Sequence, residues 1–228
     1  MFYYDPVTYL LLLPGFALAL YAQWKVQSTF RRYSEQRSSS GYTGAKVAAE
    51  LMRRSGITDV RIEPVQGRLA DHYDPRAKVL RLSPDVYESD SLAALGVAAH
   101  ETGHALQHRD GYAPLALRSA IVPLASFGTN AAWILFVVGW AFSSLRPLMD
   151  VGIVLFLGYV AFAIVTLPVE FNASNRAVQA LQAQGFVAPA EAQGVRAVLN
   201  AAALTYVAAA AVAVLELVRL IILRNRRD

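Results

Sequence analysis

The run VGIVLFLGYVAFAIVTL, Val151 to Leu167, decides the fold class: it carries no charge and is followed at once by Pro168, Val169 and Glu170. As a helix rising about 1.5 Å per residue, a segment of about 17 residues nearly crosses a hydrocarbon layer of about 30 Å. Three further segments share its character: Val7 to Ala22, Ser119 to Phe142, and Ala201 to Leu215. The last extends to Leu223 if Glu216 and Arg219, three apart on one helical face, pair with each other. Small residues at Ala208 to Ala211 suit it to close helix packing. Tyr3, Tyr4, Tyr21 and Trp24 flank the first segment as interfacial aromatics do. That segment has no basic region ahead of it and no small-residue cleavage site behind it, so it reads as an anchor.

Composition agrees. The 228 residues are 55% hydrophobic and 17% charged, whereas an ordinary soluble domain has about 45–50% and about 25%. Disorder and a sustained coiled coil are excluded. With no cysteine, a disulfide framework and a thiolate metal site are excluded too. The net charge of +4 comes from scattered bases, and Arg224, Arg226 and Arg227 abut an apolar helix, so they flank a membrane rather than bind nucleic acid.

The polar stretch between the first two spans predicts mixed structure. Thr43 to Ser55 reads as an amphipathic helix stopped at Gly56, with Val47 and Leu51 on one face. Val60 to Pro64 and Lys78 to Ser83 alternate as short strands, with a turn-rich Ala70 to Pro75 between them. Ser83-Pro84-Asp85 reads as an N-cap with proline at the first helical position, and Ser89 to His108 as a long helix.

Within that helix stands His100-Glu101-Thr102-Gly103-His104, an H-E-x-x-H pattern. A spacing of four puts both imidazoles on one face, where their neutral nitrogens can ligate one Zn²⁺. Glu101, one position on, reaches the metal's water rather than the metal. The competing reading is a helix whose histidines only pack or face solvent.

A third ligand is required, with the fourth position open. His108, Asp110, His72 and Glu170 are the candidates. His108 would ask three successive turns of one helix to meet one ion, and Asp110 lacks the glycine that would turn the chain back, since Gln107 stands there. Two spans separate His104 from Glu170, and an even number of crossings returns the chain to the same face, so Glu170 can meet the pair. An ionisable residue at a span's end also calls for a reason. Asn172, Ser174, Asn175, Asp71 and Asp74 are available to hold the outer ring nitrogens.

The blocks Asp71 to Pro75, Leu80 to Ser83, Val97 to Ala105, Leu167 to Ala177 and Asn200 to Val207 resemble, in order, the YugP-like zinc metallopeptidases of bacterial membranes. More distantly the chain is similar to HtpX-like membrane proteases, which follow the later Glu with an Ala-Asp step where Ala173-Ser174 stands here. The resemblance implies a membrane-integrated zinc peptidase with His100 and His104 as ligands and Glu101 as catalyst.

The expected molecule is therefore a mainly α membrane protein. It has about four transmembrane helices and a small α+β catalytic insertion carrying the HExxH helix. Residues 1–26 form the first membrane helix and 27–118 the insertion; 119–228 form helices two to four, with the third zinc ligand, Glu170, after helix three. The expected activity is endopeptidase cleavage of membrane or membrane-adjacent proteins, with protein or peptide and the lipid bilayer as partners. The alternative is a membrane scaffold with a closed, structural metal site and no hydrolytic activity. His72, Tyr73, Arg176 and Tyr206 are candidates to contact substrate or the transition state. Lys25, Arg31, Arg32, Arg109, Arg118, Arg176 and Arg196 cluster near one set of span ends, which places the active site on the cytoplasmic face of a bacterial membrane. On that count the C-terminal arginines fall outside.

Overall fold

The computed structural model describes residues 6–67 and 69–226; Tyr3, Tyr4, Asp5 and Arg227 lie outside them. Helices dominate: α1 Pro6–Leu10, α2 Leu13–Ser34, α3 Gly44–Arg54, α4 Pro84–Tyr87, α5 Leu92–Arg109, α6 Ala113–Ala141, α7 Pro147–Ala183 and α8 Pro189–Asn225. Among the described residues, 4 helical segments are long and apolar enough to cross a membrane: Thr8–Ser34, Ala113–Ala141, Pro147–Ala183 and Pro189–Asn225.

These helices differ from the sequence expectation at their ends. The first apolar segment breaks into α1 and α2 at Leu11 and Leu12, because Pro14 has no N–H to return to Leu10. The other three run well past their apolar cores. α7 continues through Pro168 to Ala183, and α8 starts at Pro189 rather than near Ala201.

Contacts divide the chain into two compact units. One comprises Met1–Ala22, Ala116–Pro168 and Thr205–Asp228. Its core gathers Phe136, Met149, Phe156, Val160 and Leu220 around small residues such as Ala132, Ala210 and Ala213. Arg219 Nη1 donates to Glu216 Oε1 at 2.7 Å, and the guanidinium lies 4.2 Å from the Tyr9 ring centroid. Both members of this pair are buried, so the charges two turns from the end of α8 are matched within one helix.

The second unit comprises Gln23–Leu115 and Val169–Leu204. Three short strands, β1 Arg61–Pro64, β2 His72–Asp74 and β3 Val79–Leu82, form a sheet in the order β1-β3-β2. β3 runs parallel to β1 and antiparallel to β2. The turn-rich segment thus contains a strand: Asp74 Oδ1 accepts from the Arg76 and Ala77 N–H groups and folds the chain back into β3.

α5 is the central element of this unit. Ser91 caps it by accepting from Ala94 N–H at 3.2 Å. Ala93, Ala94, Ala98 and Ala105 face a core shared with Leu80, Leu82 and Met52, whereas Leu92, Leu95 and Ala99 face one shared with Leu181, Val195 and Leu199. Alanines along these two packed faces let the neighbouring elements approach the helix closely.

The Glu216–Arg219 pair sets the first prediction. Glu216→Ala leaves Arg219 buried and uncompensated, and should cost about 3 kcal/mol. The double change Glu216→Leu with Arg219→Leu should recover most of that loss. Thermal unfolding of the purified protein in detergent measures both.

Candidate metal centre

α5 places His100 and His104 one turn apart, their ring centroids 4.8 Å from one another and their planes at 85°. Glu170 reaches them from α7: its Oε2 lies 3.2 Å from His100 Nε2 and 3.6 Å from His104 Nε2. One ligand-type atom from each of the three residues lies within 4.8 Å of the others. Glu170 is 2% exposed, so it is a buried carboxylate facing two imidazoles rather than a solvated end of a span.

Glycine makes this approach possible. A Cβ on Gly103 would stand 2.6 Å from the carbonyl oxygen of Ala173 and 3.2 Å from its Cα. The backbones of α5 and α7 therefore touch between the two histidines, one turn from Glu170.

The outer nitrogens are held as well. His100 Nδ1 lies 3.1 Å from Ser174 Oγ, and His104 Nδ1 lies 3.0 Å from Gln107 Oε1. The protonation of His104 follows from groups further out. Arg176 Nε can only donate, and at 2.8 Å it identifies Asn172 Oδ1 as the acceptor. Gln107 Nε2 then donates to that same oxygen at 3.0 Å and to Val169 O at 2.8 Å. Its carbonyl oxygen is left for His104, so Nδ1 donates to Gln107 and Nε2 is the nitrogen turned toward Glu170. Gln107 is completely buried and was not among the sequence candidates for this task. The available signal was a glutamine three residues after a motif histidine, on the same helix face.

The electrostatics favour positive charge at this point. Burial pushes the His104 pKa down, but hydrogen bonding to Glu170, the charges of Glu101 and Glu170, and Gln107 outweigh it and leave the pKa raised. Glu101 is itself buried on α5, beside His100.

The remaining sequence candidates are engaged elsewhere. His72 donates from Nδ1 to Ala70 O at 2.8 Å and receives Arg81 Nη1 at Nε2 at 3.4 Å, so both nitrogens serve the sheet. The Tyr73 hydroxyl lies 2.8 Å from His108 Nδ1, and both line a cavity of about 250 Å³ with Asp59, Lys78 and Arg109. Burial, with the charges of Asp59 and Asp74, pushes the Tyr73 phenol up. Asp110 caps α5 and pairs with Arg176 and Arg109. The Arg176 hydrogen bond, with that of Arg109, holds its carboxyl below the usual range despite burial. Asp71 accepts from the Ser83 N–H at 2.7 Å and lies at the sheet. Tyr206 belongs to the other unit, on α8.

Two imidazoles and a carboxylate on abutting helices form a group that could hold a metal ion. Tetrahedral ligands about 2.0–2.1 Å from zinc stand about 3.3 Å from one another. The spacings of 3.2 and 3.6 Å fit that edge. The family model described as "Putative neutral zinc metallopeptidase" matches residues 8–225, and the chain belongs to this family. The family name implies Zn²⁺ as the metal. The chain is 48% identical over 219 residues, 96% of its length and 97% of the relative's, to the "Putative membrane protease YugP" of Bacillus subtilis (strain 168). No solved structure matches it.

Gly103→Ala gains about 1 kcal/mol of helix propensity but meets a backbone oxygen, an overpacking cost of about 1–3 kcal/mol. The helices should part and the purified protein should retain less zinc per chain. Gln107→Ala removes the acceptor for His104 Nδ1 and should weaken zinc affinity about 10–100-fold in competition with a chelator.

Proposed function

We propose that the protein is a membrane-integrated, zinc-dependent endopeptidase that cleaves membrane or membrane-adjacent proteins. The observation that carries this reading is the convergence of His100, His104 and Glu170, with Glu170 Oε2 at 3.2 and 3.6 Å from the two Nε2 atoms, close to the edge of a zinc tetrahedron. Those three residues would hold the metal, leaving a fourth position for water and substrate. Bound zinc would supply Lewis acidity, polarising the scissile carbonyl and lowering the pKa of water.

The chain's own residues do the rest. Glu101 follows His100 directly and is excluded from the ligand set by its place on the helix; it accepts the water's proton and returns it to the leaving amide nitrogen. Ser174 and Gln107 hold the two rings so that neither needs to reorient during the reaction. His72, with both nitrogens bound within the sheet, and Tyr73, with its hydroxyl on His108, are held away from the role of oxyanion donor. Arg176 acts through Asn172 and Gln107.

The location follows from the helices. Glu170 stands two residues after Pro168, where α7 passes from its apolar run into polar sequence, so the centre belongs near headgroup level. Hydrolytic water is available there, and an extended segment at the end of a membrane helix can enter. The basic residues Lys25, Arg31, Arg32, Arg109, Arg118, Arg176 and Arg196 support the cytoplasmic face of a bacterial membrane.

Zinc-loaded protein in detergent should cleave an unstructured model substrate. Glu101→Gln should retain the metal and lower turnover by at least about 100-fold, the range of a lost general base. Chelation should abolish cleavage. Activity that persists in Glu101→Gln would contradict the assignment. A metal held without any cleavage by the wild type would favour the structural-site alternative.

A further inference from the structure

A second cavity, of about 300 Å³, lies between α2 and α8 and has no part in the metal centre. Lys25, Thr29, Arg32 and Tyr33 line it from α2; Ala197, Asn200, Ala201 and Leu204 line it from α8. Its two walls differ in kind. Lys25, Thr29 and Arg32 recur at four and three residues, so they share a helix face and point cationic and hydroxyl groups at one space. Ala197, Ala201 and Leu204 form an apolar wall of small side chains with the Asn200 amide beside it.

The cations are not spoken for. Among the described residues no carboxylate pairs with Lys25 or Arg32; Arg32 instead rests 5.6 Å from the Tyr33 ring centroid. Two cations that face one cavity make it a favourable place for an anion, which would offset their mutual repulsion.

The depth of the cavity says which anion. Tyr21 and Trp24, both exposed, precede Lys25 within about one turn of α2, and Leu20 just before them is 73% exposed. Large apolar side chains that face outward and give way to aromatics and then to Lys25 mark a passage from acyl chains to headgroups. On α8 the lining ends at Leu204, where the alanine-rich apolar run takes over.

We infer that this cavity binds the phosphodiester headgroup of an anionic phospholipid. Lys25, Arg32, Thr29 and Asn200 hold the phosphate and glycerol oxygens, and the acyl chains leave along the exposed apolar face of α2. The inference rests on the membrane reading of the helices and not on the peptidase reading, so it stands or falls separately from catalysis.

Full-length protein purified in detergent, delipidated and titrated with phosphatidylglycerol, phosphatidylcholine or inorganic phosphate, tests this by counting bound lipid in native mass spectrometry. Wild type should bind phosphatidylglycerol in preference to phosphatidylcholine, and millimolar inorganic phosphate should fail to displace it. Lys25→Gln with Arg32→Gln should lower the affinity about thirtyfold, the loss of two surface cations. Arg31→Gln, a neighbouring exposed base outside the cavity, should leave it unchanged, and Lys25→Arg with Arg32→Lys should preserve it. Ala197→Phe, which fills the apolar side without touching charge, should also weaken binding. Equal retention of both lipids, insensitivity to the Gln pair and to Ala197→Phe, or displacement by inorganic phosphate would overturn the proposal.

Discussion

The backbones of α5 and α7 touch at Gly103 and Ala173, and the candidate metal centre depends on that approach. A glutamate side chain spans only a few ångströms from its helix axis. If any larger residue stood at position 103, Ala173 would be pushed away and Glu170, one turn before it, would withdraw from the imidazoles. Gly103 lies inside the H-E-x-x-H pattern, at a position where the ligand chemistry places no demand. The constraint there comes from packing, and it turns two histidines on a helix into a cluster of three ligand-type residues.

The same contact brings the polar half of α7 against α5 and lets one network do two things. Arg176, Asn172 and Gln107 tie the helices together, and they also fix His104 Nδ1 as a donor. The network ends at Asp110, the residue that caps α5, through the Arg176 ion pair. Because the amides of Asn172 and Gln107 each have donor and acceptor sides, one donor-only arginine at the end sets the polarity of the whole chain. Loss of any member leaves a buried polar group short of a partner, which costs about 1–3 kcal/mol.

Much of this was legible in the sequence. Charge-free runs disclose membrane-competent helices because composition alone sets their hydropathy, and a spacing of four on an alanine-rich helix sets the relation of His100 to His104. Glu170 could be reached by counting crossings, and Ser174 was among the second-sphere candidates. What escaped depends on tertiary contact. β2 sits in a segment whose Asp74 and Pro75 read as turn, and it becomes a strand only because β3 is there to pair with it. Helices α6, α7 and α8 run past their apolar cores because their polar turns pack in the second unit, which hydropathy does not report. Gln107 looked like a missing turn glycine; its amide acquires a role only once Val169 and Asn172 lie across from it.

The most direct test of the account is the zinc K-edge X-ray absorption spectrum of the metal-loaded protein, with and without Glu170. Two histidines, one carboxylate and a water predict four N/O neighbours at about 2.0–2.1 Å and outer-shell scattering from two imidazoles. In Glu170→Ala the two-imidazole signal should persist at reduced metal content, with a solvent oxygen in place of the carboxylate. Scattering from a third imidazole, or zinc content and affinity unaltered by Glu170→Ala, would contradict the claim that the α5–α7 contact builds the metal centre.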